Sequence, residues 1–245
     1  SYADRPISEQ VKADILAATM RAPTAGNLML YSVIEVDDQS SRETLVTTCD
    51  NQPFIARAPL VLLFLADYQR TYDYFVACGV RERCRIRGEE MREPEVGDLM
   101  LACCDALIAA QTAVVAAEAL GVGSCYIGDI MENYERHRAL FELPKYVFPI
   151  SLVCFGYPSE SEAARPQTPR FEQRYVVFRD RYRRLSEDDL VEMHRYKQAG
   201  AAERWKGDGP VPSVGELTYD RKFGSAFALE MNRSVREMLR AWEKS

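Results

Sequence analysis

The stretch Ala116-Ala-Glu-Ala-Leu-Gly-Val-Gly-Ser-Cys-Tyr-Ile-Gly128 closes the most apolar run of the chain and leads through a glycine turn into a short strand. The pattern predicts a long helix over 97–120 that is apolar nearly all round. Such a helix must be buried all round, in a core or between subunits. A membrane span is not predicted, because Asp105 and Glu118 interrupt the run and its longest uncharged part, 106–117, has 12 residues where about 20 are needed.

The glycine pair Gly121 and Gly123 has part of the spacing of a dinucleotide-binding fingerprint. Tyr126 stands in the place of the third glycine, and the pair follows a helix and precedes a strand, which reverses the Rossmann order. No Walker sequence occurs anywhere in the 245 residues. The sequence therefore does not support a Rossmann or P-loop nucleotide fold.

Helix and strand patterns alternate outward from this stretch. The runs Pro59–Leu65 and Pro149–Gly156 show no polar alternation, which predicts strands buried on both faces. Weaker patterns predict helices over 9–21, 40–49 and 134–143 and a strand over 31–36. The segment Ala66–Val96 has no clear periodicity, and two interpretations of it stay open: a lid over a pocket, or a solvated insertion with its own short helix.

Beyond the last predicted strand the composition changes. The stretch Arg165–Arg184 carries seven arginines in twenty residues. A capping-box pattern at Ser186 begins one helix, and apolar residues stepping by three and four predict a last helix over Lys222–Glu243. We expect a core of residues 1–160 and an extension of residues 161–245 that packs on the core and on a partner subunit.

Composition excludes several classes of function. The 31 basic and 37 acidic residues give a net charge of −6, which argues against a general nucleic-acid binder. Only two histidines occur, so zinc sites and Ser-His-Asp triads have few candidates; His137 lies in a charged segment and is expected at the surface. The seven cysteines are odd in number and lack C-x-x-C spacing, which favours buried reduced thiols in a cytoplasmic protein.

No side-chain acid–base pair stands out. There is no G-x-S-x-G motif, and the adjacent acids Glu89-Glu90 and Asp188-Asp189 are typical of solvated helix starts. The chemistry of an enzyme of this sequence is therefore expected to reside in a cofactor.

Several short motifs occur in a fixed order. They are Asp4–Ser8, Ala22–Asn27, Arg57–Asp67, Ala116–Gly128, Leu143–Pro144 and Phe155–Pro158. In this order they resemble the FMN-dependent nitroreductase family over roughly residues 1–180. The extension resembles that of the larger, NADPH-preferring nitroreductases and flavin reductases. The resemblance implies an α+β fold: a central mixed or antiparallel sheet flanked by helices, a long central helix at a homodimer interface, and a helical C-terminal extension.

The resemblance also implies a set of cofactor-binding residues. They are Ser1, Thr24, Ala25, Gly26, Asn27, Gln52, Tyr126, Ile127, Gly128, Arg165 and Arg170. Residues 24–27 match the loop that lines the flavin, Gln52 matches a glutamine near its pyrimidine edge, and residues 126–128 match the backbone that supports the ring near N5.

The phosphate-binding part departs from the family pattern. Arg170 matches the phosphate-binding arginine, and Arg165 is a second candidate for that role. The family's N-terminal R-R-S-x-R clamp would end at Ser1. Either further residues precede Ser1, which we expect, or fewer arginines hold the phosphate. Asp129 stands where a glycine is frequent, and we expect its carboxylate to reshape access to the flavin or to disfavour anionic substrates.

The implied reaction is a ping-pong transfer of a hydride from NADPH (or NADH) to flavin N5 and onward to a nitroaromatic, a quinone or a flavin. No catalytic side chain and no metal is implied. The 2′-phosphate of NADPH has three candidate partners, Arg195, Arg204 and Lys206. The expected partners are a second copy of the chain and an aromatic or quinone-like acceptor, with no nucleic acid and no membrane. The alternatives are a specialised member of the fold, such as a reductive dehalogenase or an ene-reductase-like enzyme, and a non-catalytic flavin-binding protein.

Overall fold

The computed structural model describes residues 1–207 and 209–243. They divide into two compact units. The first contains Ser1–Ala164 together with the residues from Glu230 onward, and the second contains Arg165–Leu229. The division into residues 1–160 and 161–245 stays a prediction of the sequence.

A four-stranded sheet lies at the centre of the first unit. Its strands are β1 (Tyr31–Glu35), β2 (Leu60–Asp67), β3 (Gly123–Ile127) and β4 (Val147–Gly156), in the spatial order β1-β2-β4-β3. All three strand pairs are antiparallel, with Ile34 opposite Leu63 and Cys125 opposite Cys154. Every residue of β2 and β4 is buried, as their lack of polar alternation predicts. The expected α+β class is confirmed.

Eleven α-helices surround or follow the sheet in the described part of the chain. Those before residue 165 are α1 (Glu9–Thr19), α2 (Gln39–Thr48), α3 (Phe54–Arg57), α4 (Gln69–Ala77), α5 (Val80–Ile86), α6 (Val96–Ala119), α7 (Tyr134–Leu140) and α8 (Glu160–Ala163). The later ones are α9 (Glu187–Arg204), α10 (Val214–Thr218) and α11 (Ala226–Glu243). The segment without periodicity contains α4 and α5, as an insertion with its own helices does, and the lid interpretation stays open.

Helix α6 packs on the sheet through one face only. Its buried face consists mainly of alanines, which let the helix approach the strands closely; these residues are Leu99, Ala102, Ala106, Ala109, Ala110, Ala113 and Ala117. The opposite face carries Met100, Leu101, Leu107, Ile108 and Val115, each 39–59% exposed. The described part of a single chain leaves this second face partly exposed, so its expected burial between subunits stays a prediction. By length and composition α6 is also the one helix in the described part that could cross a membrane.

Two expectations about individual side chains are wrong. His137 is buried, because α7 turns it with Tyr134 towards the interior; its Nδ1 atom lies 2.8 Å from the Ile130 carbonyl oxygen and its Nε2 atom 2.8 Å from Thr48 Oγ1. The cysteines are not uniformly buried. Cys49 and Cys154 are, whereas Cys78, Cys104 and Cys125 are exposed, and all seven are free.

The last helix begins four residues later than expected. A π-helical turn over Tyr219–Phe223 precedes it, and α11 starts at Ala226. At its far end Trp242 is 1% exposed and makes edge contacts with the rings of Tyr146 and Phe148, at centroid distances of 5.1 and 5.2 Å. The end of the chain thus completes the core of the first unit.

Candidate functional site

The loop between α1 and β1 carries four of the candidate residues, 24–27. Gly26, Asn27 and Met29 all adopt positive φ, at 55°, 58° and 52°. Residues other than glycine rarely take this conformation, and they keep it only where their surroundings enforce it. Thr24 contributes to this, because its Oγ1 atom accepts the backbone N–H of Met29 at 3.3 Å.

Asp105 of α6 holds the same loop from inside the core. Its side chain is buried, with Oδ1 accepting the backbone N–H of Ala25 at 2.9 Å and Oδ2 accepting that of Leu30 at 3.0 Å. Hydrogen bonds to an ionised acceptor are about twice as strong as neutral ones. In the sequence Asp105 is visible only as an interruption of an apolar run; its place on the alanine face was the available signal that it has a buried partner.

Arg70 of α4 holds the end of the loop. Its Nη2 atom donates to the carbonyl oxygens of Met29 and Tyr31, the latter at 3.0 Å, and its Nη1 atom donates to Ser32 Oγ at 3.3 Å. The segment 66–96 therefore contributes to the candidate site through this arginine. The loop is fixed by Asp105 at one side and by Arg70 at the other.

The second candidate segment, residues 126–128, lies on the sheet edge and in the turn that follows it. Tyr126 is 40% exposed, and its hydroxyl donates to Gln111 Oε1 of α6 at 3.2 Å. Ile127 is buried, and a Cβ atom added at Gly128 would meet no atom within 4 Å. Open space thus adjoins the backbone here. Asp105 and Gln111 lie six residues apart on one helix, about 9 Å along its axis, so α6 anchors both segments.

Gln52 is attached to the end of the second segment. Its Nε2 atom donates to the Cys49 carbonyl oxygen and to Asp129 Oδ2, both at 2.9 Å. Because Asp129 directly follows Gly128, this bond joins the Gln52 loop to residues 126–128. Contacts with α6 and with Asp129 therefore link three of the predicted elements, which are residues 24–27, Gln52 and residues 126–128.

A group of acidic side chains surrounds Asp129. Glu132 is buried, and no hydrogen bond reaches its Oε1 atom in the described part of the chain. Burial, and then the nearby charges of Asp129, Glu230 and Asp50, raise the pKa of Glu132 from 4.5 to about 7. The charges of these acidic groups thus act on the Glu132 carboxyl group, although Arg233 pairs with Glu230.

The remaining predicted residues lie elsewhere. Ser1 Oγ is 2.8 Å from Ser159 Oγ, and the backbone N–H of Ala3 donates to the Tyr157 carbonyl oxygen at 2.8 Å, so the first residues run beside the end of β4. Arg165 and Arg170 belong to the second unit. Arg170 is exposed, and its Nη1 atom donates to the Thr168 carbonyl oxygen at 3.2 Å.

The second unit contains a basic groove of about 530 Å³. Among the described residues, its lining includes four cationic side chains and no acidic one; the cations are Lys197, Arg204, Arg221 and Lys222. A groove of this charge suits a phosphate group. Of the three residues predicted for a 2′-phosphate, Arg204 lines it, Arg195 lines a neighbouring cavity of about 310 Å³, and Lys206 is exposed.

Side chains able to ligate a metal do not gather in the described residues, where no group of three or more histidine, cysteine, aspartate or glutamate side chains is placed to hold an ion. The chemistry that the site offers is that of backbone amides, one side-chain amide and open space beside Gly128.

The chain is similar to known proteins over most of its length. The family model described as the Nitroreductase family matches residues 1–157. FMN reductase (NAD(P)H) of Bacillus subtilis is 32% identical over 197 residues, 78% of this chain and 72% of the relative. The oxygen-insensitive NADPH nitroreductase of Salmonella typhimurium is 29% identical, with 78% and 72% covered. Among solved structures, the hypothetical oxidoreductase YcnD of Bacillus subtilis superposes with a TM-score of 0.77 at 28% identity, over 99% of this chain and 92% of that one.

Proposed function

The chain belongs to the nitroreductase family, and we propose that it is an FMN-dependent NAD(P)H oxidoreductase that reduces nitroaromatic, quinone or flavin acceptors. The relatives named FMN reductase and NADPH nitroreductase support this activity and both cofactors. The observation that carries the proposal is the attachment of the 24–27 loop and of Tyr126 to one helix, through Asp105 and Gln111. FMN, when bound, supplies the N5 atom that accepts a hydride and passes the electrons on.

The residues of the first unit fit the ring of that cofactor. A flat ring needs backbone without projecting side chains. Gly128 adjoins open space, whereas a Cβ atom at Gly26 would make an ordinary contact with Leu28 Cγ at 3.9 Å. The ring's pyrimidine edge needs hydrogen-bonding partners, which the Gln52 amide offers. We propose that residues 24–27, Gln52 and 126–128 hold and orient the ring and restrict water at its edge.

The phosphate of FMN needs positive charge. We propose that Arg170 provides it, with Arg165 as a second contributor and Ser1 at the end of the N-terminal binding motif. The exposed guanidinium of Arg170 supports this, because its only described hydrogen bond goes to a neighbouring backbone oxygen. For NADPH, the four cationic side chains that line the basic groove, Arg204 among them, support binding of the 2′-phosphate, and hence a preference for NADPH over NADH.

We propose a homodimer in which the exposed face of α6 is buried. Five apolar side chains on this face, with Tyr126 beside it, are 39–59% exposed in the single chain. Burial of apolar surface stabilises an assembly by about 25 cal/mol per Å², so pairing this face with a second copy is favourable.

The seven free thiols support a reducing compartment, and we place the protein in the cytoplasm.

The proposal is tested by isolating the protein with its cofactor. We expect a yellow protein that releases FMN on denaturation, with one FMN per chain after reconstitution. Steady-state kinetics with NADPH and a quinone should give parallel double-reciprocal lines, as a ping-pong reaction requires. A chain that binds no added FMN would overturn the proposal, and a yellow protein that neither NADPH nor NADH reduces would point to a non-catalytic flavin-binding protein.

A further inference from the structure

We infer that Asp129 is a specificity-determining residue of the acceptor site: its carboxylate fixes the Gln52 amide and makes this edge of the site negative, so that neutral and cationic electron acceptors are selected over anionic ones. The inference rests on the proposed function, because it concerns the same site. It adds a residue and a class of substrate that the proposed function does not contain.

The contacts of Gln52 fix which end of its amide is available. The Nε2 atom lies 2.9 Å from the Cys49 carbonyl oxygen and 2.9 Å from Asp129 Oδ2, and both of these atoms can only accept. An amide oxygen in that place would face two acceptors, so the orientation is determined by its surroundings. Both N–H groups are used, and the Oε1 atom is left as the part of the amide that can bind a ligand.

The available atom matches the chemistry of a flavin edge. The pyrimidine part of the ring carries one N–H between two carbonyl groups, and an N–H needs an acceptor. Gln52 Oε1 has no hydrogen-bond partner in the described part of the chain and can accept that N–H. Asp129 thus acts as a positioning residue through Gln52, in addition to its charge.

The charge of Asp129 is reinforced rather than neutralised by its neighbours. No described cation forms an ion pair with it, whereas Arg233 pairs with Glu230 and Glu135, each at 2.8 Å. The pKa of Glu132 rises in part because Asp129 and Asp50 are close. Asp129 is half-buried, so solvent screens its charge only partly.

This arrangement predicts discrimination by charge. An anionic acceptor approaching the ring edge is repelled by Asp129, while a cationic one is attracted. For charges several ångström apart near a protein surface, the effect is about tenfold in an equilibrium constant. The same repulsion opposes the negative charge that the bound ring gains on reduction, so the carboxylate should also lower the reduction potential.

Two substitutions separate the charge of Asp129 from its positioning of Gln52. Asp129→Asn removes the charge and keeps an oxygen that accepts from Gln52, whereas Asp129→Ala removes both. The matched control is Asp14→Asn, which removes one exposed carboxylate on α1, whose only described partner is Gln10. The probes are 4-nitrobenzoate, 4-nitrobenzamide and a 4-nitrobenzyl trimethylammonium salt, which share a ring and differ in charge.

For Asp129→Asn we expect kcat/KM for the anionic probe to rise about tenfold, mainly through KM, with the neutral probe unchanged within twofold and the cationic probe lowered. The flavin reduction potential should rise by about 30 mV, the equivalent of a tenfold change for two electrons. FMN affinity should stay within threefold in Asp129→Asn and fall at least fivefold in Asp129→Ala. Asp14→Asn should change none of these.

The outcomes are distinguishable. Unchanged ratios among the three probes in Asp129→Asn, with an unchanged potential, would overturn the selectivity. Equal FMN affinity in the wild type and Asp129→Ala would overturn the positioning role. If the wild type itself takes up no FMN or is not reduced by NADPH, the proposed function fails, and this inference fails with it.

Discussion

The buried carboxylate of Asp105 accepts the backbone N–H of Ala25 at 2.9 Å, although 80 residues of sequence separate the two. With the bond from Leu30 to the other carboxylate oxygen, it spans the loop and fixes it to the central helix. The shape of the proposed flavin loop therefore depends on a buried residue of α6 that lies outside the loop.

Replacing Asp105 with asparagine should loosen FMN without unfolding the protein. The amide keeps one acceptor and turns a donor towards the second backbone N–H, which costs about 1.5–3 kcal/mol. We expect FMN affinity to fall at least tenfold, and hydrogen exchange to quicken at residues 24–30. Fluorescence titration of the apoprotein with FMN measures the FMN affinity. Glu118→Gln, an exposed acid on the same helix, is the control; equal affinities in all three proteins would contradict the prediction.

A charge on the exposed face of α6 should break the dimer. Leu101 is 49% and Ile108 39% exposed in one chain, and burying a glutamate between two apolar helices is unfavourable. We expect Leu101→Glu and Ile108→Glu to sediment as monomers at micromolar concentration. Ile86→Glu introduces the same charge at a side chain that is 75% exposed on α5 and should stay dimeric. Monomeric wild-type protein would show that the face has another role.

Removal of the Arg170 guanidinium should weaken the binding of FMN and leave the fold intact. A hydrogen bond to a charged group contributes about 1.5–3 kcal/mol, so the affinity for FMN should fall about 10- to 100-fold. The variant should therefore retain less FMN on dialysis. The thermal midpoint should hardly change, because the side chain is exposed and its one hydrogen bond to a described residue is to the Thr168 carbonyl oxygen. Arg179→Ala is a suitable control, since Arg179 is 96% exposed in the same arginine-rich stretch. Indistinguishable retention by the two variants would remove Arg170 from the phosphate site.

Glu132 should make stability fall with rising pH. Its folded pKa is about 7 against an ordinary value of 4.5, so the folded state holds the proton more tightly. Stability is then full below about pH 4.5 and declines until about pH 7. We expect Glu132→Gln to match the wild type at pH 4.5 and to be more stable by about 1–3 kcal/mol at pH 8.

Urea unfolding at the two pH values measures this difference. Glu43→Gln neutralises an exposed acid on α2 and should show no such dependence. A constant difference between Glu132→Gln and the wild type across the range would mean that the pKa of Glu132 is the same in the folded and unfolded states.

The parts of the fold that the sequence predicts best are those that local hydrophobicity determines. Strands β2 and β4 are apolar at nearly every position, with no polar alternation, and they are buried at every residue. Helix α6 shows the limit of this reasoning, because a pattern reports that a face is apolar and not what covers it. His137 is misassigned for a related reason: its charged neighbours along the chain point away from the face that it shares with Tyr134.

The candidate site is less predictable because its contacts are long-range. The bond between Gln52 and Asp129 joins residues 77 positions apart, and no local pattern marks either as a partner. The motifs indicate which segments matter. The contacts of Asp105 and Arg70 give the reason that the loop has its shape. The position of Asp105 on the alanine face signals a buried partner, but no local pattern identifies the loop as that partner.

The proposed oxidoreductase activity is tested most directly by anaerobic titration of the FMN-loaded protein with NADPH, with the absorbance of the flavin as the signal. We predict complete bleaching at one NADPH per FMN, recovery of the yellow colour on adding a quinone or a nitroaromatic, and a lower apparent affinity for NADH. A flavin absorbance that neither nucleotide changes would contradict the central claim that this chain is an NAD(P)H oxidoreductase.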